Sequence, residues 1–497
     1  MRRRDFIQTT TGAATGAALA PTLAHAGETA ERKPNLLIIH CDELNFRTLG
    51  CYRDTLPPEQ AFMWGPNAYV ETPHIDSIAR EGTLCTKFYA ATPVCSPSRS
   101  SFISGMYPHH TPVTTNNVRL SDKVVSFAQI LGEQGYSTGY SGKWHLDGDG
   151  KPQWGPERNF GFQDNRYMFN RGHWKQLELT ENGPRVKARD RKGQPSYSVE
   201  GADDESFTTD WLTNRAIEFI DEHEDSPFCY MLSIPDPHGP DTVRAPYDTM
   251  YDDTIVEAPR TFGKPTEGVP SWAMPTKNCN YRMANYHGMV KCVDDSVGRL
   301  IEALHARDLL DNTILVFTAD HGDMRGEHGR QNKGIPLEAS AKVPFVVRYP
   351  KSVPAGARIE EVLNTVDFLP SMLSLMGVID KADHVHGRDA SRLLRTGTAP
   401  QDWNDITFMR STGKPGSTFG WVSALTPRFK LILSSADDPW LLDLQTDPDE
   451  LINFIDSPEH KDVVQHLARE LKDYGKRLSD PYTTNPKTSA WIEKLMA

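Results

Sequence analysis

The chain has no C-x-x-C pair, no internal repeat, no excess of positive charge and no long apolar run beyond its first 26 residues. Each absence excludes something. Seven cysteines (41, 51, 85, 95, 229, 279, 292) form an odd set without the spacing of a zinc finger or a thioredoxin-like dithiol. A net charge of −12 excludes a polyanion-coating surface, so no nucleic acid is expected as partner. An anionic substrate must then be held by a local cluster of positive groups. Without an apolar segment of bilayer length, no membrane insertion is expected. Apolar residues at 38% and charged residues at 24% suit a globular chain with a sizeable core.

The N-terminus "MRRRDFIQTTTGAATGAALAPTLAHA" pairs Arg3 and Arg4 with a weakly apolar stretch and an Ala24-His25-Ala26 ending. This predicts a twin-arginine-type signal peptide over residues 1–26, hence an exported, periplasmic or secreted protein. Such substrates fold before leaving a reducing compartment, so most of the cysteines are expected as buried free thiols.

Several apolar runs of strand length end in chemistry. "NLLIIHCDE" runs into Asp42 and Glu43, "FCYMLSIPDPHGP" into Asp236 and His238, and "TILVFTADHGD" into Asp320, His321 and Asp323. Continuous apolar strands alternating with amphipathic helices predict an α/β fold with a mainly parallel sheet covered on both faces. The site of such a sheet lies beyond the carboxyl ends of its strands. Asp42, Glu43, Asp320 and His321 would converge there as a mostly carboxylate cluster, suited to a divalent cation. In "YAATPVCSPSRSSFISGMYPHH", Pro97 fits a first helical turn and Gly105 a helix stop. Cys95 would then lead a helix whose N–H groups, with the Arg99 fork, favour an anion with tetrahedral oxygens.

These segments resemble the type I, formylglycine-dependent sulfatase family of the alkaline phosphatase superfamily. "CSPSR" matches its C-x-P-x-R signature. "KPNLLIIHCDELNFRTLGCY", "TPHIDSIAREGTLCTKFY", "GYSTGYSGKWHL", "DPHGP", "TADHGDMRGEHG" and "KGIPLEASAKVPFVVRYP" extend the likeness over nearly the whole chain. The resemblance implies an alkaline-phosphatase-like sheet sandwiched by helices and a smaller C-terminal antiparallel sheet. It also implies that a maturation enzyme oxidises Cys95 to formylglycine. The implied metal ligands are Asp42, Glu43, Asp320 and His321, with the modified Cys95 side chain. Arg99, Lys143, His145, His238 and Lys333 would surround the sulfate. Two departures stand out: Asp42-Glu43 replaces the common Asp-Asp, and Asp320-His321 replaces Asp-Asn. The family's usual metal is Ca²⁺, and an imidazole ligand suits Mn²⁺ or Zn²⁺ as well. His110, His173 and His287 match no motif and are not carried into the site.

A polar join, "TGTAPQDWND", separates a catalytic region over 33–395 from a C-terminal subdomain over 400–497. Residues 157–192 are rich in Arg and Lys, interleaved with Tyr167, Phe169, His173 and Trp174. This segment reads either as an exposed hairpin or as a wall of the substrate cleft that meets a sulfated carbohydrate. Three functions compete on these residues: a sulfate-ester hydrolase, a phosphonate monoester or phosphodiester hydrolase on the same scaffold, and a catalytically silent glycan-binding relative. The retained Cys95, Arg99, His145 and Lys333 argue against the third.

Overall fold

A computed structural model of the protein describes residues 32–264 and 268–497. The expected signal peptide, 1–26, lies outside the described residues. From Lys33 to Ala497 the chain is one compact unit.

Its centre is an eight-stranded sheet. In chain order its strands are β1 (Asn35–Asp42), β2 (Thr83–Cys85), β3 (Ser137–Lys143), β4 (Asp164–Phe169), β5 (Phe228–Pro237), β6 (Thr313–Ala319), β7 (Phe345–Arg348) and β8 (Ala357–Ile359). They lie in the order β8-β2-β7-β6-β1-β5-β3-β4. The inner run β6-β1-β5-β3-β4 is parallel throughout, and β7 is antiparallel to both neighbours. Leu36, Leu37, Ile38 and Ile39 of β1 are fully buried, as are Ile314 to Phe317 of β6. Both faces of these strands meet helices, which is why their sequences are continuously apolar rather than alternating. Among the covering helices, α2 (Thr208–Glu222) and α3 (Ala284–His305) bury one stripe each, including Leu212, Ala216, Phe219 and Ile220 of α2.

Strand β3 reads "STGYSGK" and owes its place to closeness rather than to apolar mass. Gly142 has φ +96°, and a Cβ there would lie 1.9 Å from the Ser233 carbonyl oxygen of β5. Only glycine permits that approach.

The helix α1 (Cys95–Ser104) runs into the sheet with all ten residues buried. Val94 precedes it in extended conformation and Gly105, at φ +68°, stops it in the left-handed region. Pro97 sits in the first turn, where its missing N–H would lack an intrahelical partner anyway.

The C-terminal sheet is the expected four-stranded antiparallel one: β9 (Thr407–Arg410), β10 (Trp421–Leu425), β11 (Phe429–Ser434) and β12 (Trp440–Asp443), in that order. Alternation serves two cores. Val422, Ala424, Leu431 and Leu433 pack with Leu467, Leu471 and Tyr474 of helix α4 (Lys461–Leu478). Trp421, Leu425 and Ile432 pack with Tyr89, Ile335 and Leu337 of the larger layer. Leu177–Thr180 pairs with Gly183–Val186 as a separate two-stranded antiparallel hairpin.

Candidate active site

Four neighbouring parallel strands deliver the site. β1 ends on Asp42, β6 just before Asp320 and His321, β5 just before His238, and β3 on Lys143 with His145 beyond it. Helix α1 adds Cys95 and Arg99 from above. Most of these groups are almost wholly buried: Asp42, Asp320 and His321 are 0% exposed.

Asp42, Cys95, Asp320 and His321 each place a ligand atom within 4.8 Å of the others. The Cys95 Sγ lies 3.2 Å from His321 Nε2 and 3.7 Å from Asp42 Oδ1. Burial and repulsion from Asp42 raise the Asp320 carboxyl above its ordinary range. Burial opposes charge on His321, but the Asp320 carboxylate prevails and lifts the imidazole to about 9. Two carboxylates and an imidazole converging with the Cys95 side chain form a donor set that fits a divalent cation. Glu43 lies apart from these four atoms. Its Oε2 is 2.9 Å from both Lys333 Nζ and His238 Nε2, while its Oε1 is buried without a hydrogen-bond partner. That orphaned oxygen is available to a cation, which a carboxylate ligand at this position requires.

Arg99 ties the layers together. Its Nε donates to Asp320 Oδ2 at 2.9 Å, and its Nη1 donates to the Lys143 carbonyl at 2.8 Å and to Ser233 Oγ at 2.7 Å. The Nη2 is 3.6 Å from Asp42 Oδ2 and makes no hydrogen bond, leaving buried donors free for an anion. Lys143 contacts the Asp42 carboxylate, and Lys333 Nζ lies 2.8 Å from His238 Nε2. Burial and Asp42 push the Cys95 thiol up, yet Lys143, Lys333 and His321 together bring it well below its ordinary value. Position 95 thus sits in a strongly positive field. Burial holds His145 down to about 4, so its imidazole is neutral at ordinary pH.

The structure brings together all ten residues named from the sequence and adds one. His173 Nε2 is 2.9 Å from Lys143 Nζ and 3.6 Å from Asp42 Oδ2, and its ring stacks on His238 at 3.5 Å. Its signal was positional: it follows β4, an edge strand too polar to be read as one, by four residues. Asp236, in contrast, ends a strand but faces away. Its Oδ1 accepts from Lys175 Nζ at 2.6 Å and its Oδ2 from Thr209 Oγ1 at 2.7 Å.

The basic segment also needs correction. Lys175 is fully buried, and Arg158, Arg166, Arg171 and Arg185 pair with Asp147, Asp164, Asp149 and Glu178. Only Lys187, Arg189, Arg191 and Lys192, at the exposed end, have no ion pair among the described residues. The return of that loop carries Tyr197, whose ring lies 4.7 Å from Trp174 and 6.3 Å from His173.

A strand-end cluster of carboxylates beside a helix-leading cysteine and a set of buried cations suits the hydrolysis of an anionic ester. The chain belongs to the sulfatase family, whose sequence profile matches residues 34–378. A second profile, N-sulphoglucosamine sulphohydrolase, C-terminal, matches 326–477. The protein is accordingly a sulfuric ester hydrolase. The N-acetylglucosamine-6-O-sulfatase of Bacteroides thetaiotaomicron is 25% identical over 90% of this chain and 87% of its own length. The crystal structure of the candidate sulfatase YidJ of Bacteroides fragilis is 26% identical and superposes with a TM-score of 0.73. That match covers 91% of this chain and 97% of that one. The phosphonate monoester hydrolase of Agrobacterium radiobacter shares the fold at 22% identity and a TM-score of 0.68, over 90% and 96% of the two chains.

Proposed function

We propose that this protein is exported and removes sulfate from a sulfated carbohydrate, with residue 95 acting as formylglycine beside a divalent cation, Ca²⁺ or a related ion. The observation that carries this reading is the setting of Cys95. It leads a fully buried helix, and Arg99, Lys143, Lys333 and His145 surround it above the Asp42, Asp320 and His321 cluster. A thiol kept for redox or packing has no use for four such neighbours.

Oxidised and hydrated, residue 95 supplies two hydroxyls on one carbon, one to take the sulfuryl group and one to expel it. Asp42, Glu43, Asp320 and His321 would hold a divalent cation, which would supply positive charge to the reaction. The chain's own groups do the rest. The free Nη2 of Arg99 and the ammonium groups of Lys143 and Lys333 bind the sulfuryl oxygens. Neutral His145 takes the proton from the second hydroxyl as sulfate leaves. His238, whose imidazole pKa the Glu43 carboxylate raises against burial, donates to the departing alcohol. Arg99 is also part of the segment that the maturation enzyme reads before folding buries it. We assign the exposed cations at 187–192 and the ring of Tyr197, which reaches His173 and Trp174, to contacts with the rest of the glycan.

The test is parallel hydrolysis of an aryl sulfate, an aryl phosphodiester and defined sulfated saccharides by matured protein. We expect sulfate release with the saccharides preferred. Faster turnover of the phosphodiester overturns the reading, and no turnover of any of them returns the protein to a binding role.

A further inference from the structure

His145 carries two constraints that a base needs only if its geometry is fixed. Its backbone lies at φ +60°, in the left-handed region that a bulky residue occupies only when its surroundings impose it. Its ring is also held at one nitrogen only. Nε2 lies 3.0 Å from Asn117 Oδ1, whereas Nδ1 is buried without a hydrogen-bond partner.

The surrounding contacts explain how the pose is kept. The His145 N–H donates to the Asn170 carbonyl at 2.6 Å, and the Ser96 hydroxyl donates to the His145 carbonyl at 2.7 Å. The Ser96 N–H donates in turn to Asn116 Oδ1 at 3.0 Å. The first turn of α1, the 116–117 turn and His145 are thereby one clamp. Asn117 has φ +65°, a conformation asparagine tolerates better than most residues, and it is itself exposed.

A carboxamide oxygen can only accept. Its partner Nε2 must therefore carry the hydrogen, and a neutral imidazole so arranged has its lone pair on Nδ1. We infer that Asn117 is a positioning residue for the reaction: by accepting from Nε2–H it fixes the tautomer of His145 and leaves Nδ1 as the ring's sole basic atom. This rests on His145 being the base proposed above. An exposed asparagine thereby controls, through His145, the step in which sulfate leaves.

The substitutions separate this role from a structural one. Asn117→Gly removes the acceptor and keeps the left-handed backbone; Asn117→Asp keeps an acceptor oxygen. In full-length, matured protein labelled with [¹⁵N]histidine, the His145 resonances (assigned by their loss in His145→Gln) report which nitrogen carries hydrogen. We expect Nε2–H alone in the wild type and in Asn117→Asp, and a mixture in Asn117→Gly. With an aryl sulfate, Asn117→Gly should lose about 10-fold or more in kcat, with KM and unfolding temperature unchanged, and Asn117→Asp should recover most of it. A wild-type tautomer and kcat in Asn117→Gly overturns the inference, as does equal loss in the Gly and Asp variants. Should His145→Ala retain full turnover, the role of His145 fails and this inference with it. Should His145→Ala be inactive while Asn117→Gly is wild type, only the inference fails.

Discussion

Lys175 belongs by sequence to the basic segment that faces substrate, and by structure to the core. Its ammonium is 0% exposed and bonded to Asp236 Oδ1 at 2.6 Å, with Met289 Sδ at 3.1 Å. Lys175→Met leaves the Asp236 carboxylate buried with only Thr209 as a side-chain partner. Stranding one member of a buried ion pair costs about 3–5 kcal/mol. At about 1.4 kcal/mol per factor of ten, the folded-to-unfolded ratio should fall by about two to three and a half orders of magnitude. The double variant Lys175→Met/Asp236→Asn removes both charges, keeps a group for Thr209, and should recover most of the loss. Tryptophan-detected denaturant unfolding of the three proteins measures this, alongside KM for an aryl sulfate and for a sulfated oligosaccharide. Wild-type unfolding of Lys175→Met with a raised KM for the oligosaccharide alone would refute the reasoning and return Lys175 to the cleft.

Asp320→Ala should abolish sulfate release while the protein stays folded, because it removes a shared partner of Arg99, His321 and the cation; retained turnover sinks the ligand assignment. Replacing Lys187, Arg189, Arg191 and Lys192 together by serine should raise KM severalfold for a sulfated oligosaccharide and leave a small aryl sulfate unaffected. Equal effects on both substrates would show a folding role instead. Acid should loosen the seat of α4. His109 Nε2 lies 3.0 Å from the Leu478 carbonyl, and His386 Nδ1 accepts from the Tyr107 N–H at 3.2 Å. Burial lowers both imidazoles to about 4, against about 6.5 in the unfolded chain. Their folded values are depressed, so the stability they lend is present above about pH 6.5 and is lost as pH falls toward 4. The unfolding temperature should drop across that window, and His386→Gln, which keeps an acceptor but cannot protonate, should flatten the drop; an unchanged slope contradicts the assignment.

The strands legible in the sequence are those whose two faces are both covered. β1, β5 and β6 had to be continuously apolar, and the residues just past their ends had to lie together. β3 and β4 gave no such signal. One is held by the close approach of Gly142 to Ser233 and the other is an edge strand, so Lys143 and His145 entered through the family resemblance and His173 only as part of the basic segment. Strand-end position alone does not distinguish a ligand from a core ion pair. Asp236 and Asp320 occupy like places, and only the burial of Lys175 beneath Asp236 separates them. Charge density misled for the same reason. The partners of Arg158, Arg171 and Lys175 come from other segments, which a linear count cannot see.

The proposed chemistry requires that Cys95 be converted before it acts. The most direct measurement is the mass of the peptide carrying residue 95, taken from active protein made in a host with a maturation enzyme. That peptide should be lighter by the change from CH₂SH to CHO and reactive toward hydrazide probes. Arg99→Ala should diminish this conversion and Lys333→Ala should not. A fully active enzyme whose residue 95 is still a thiol would contradict the proposed chemistry.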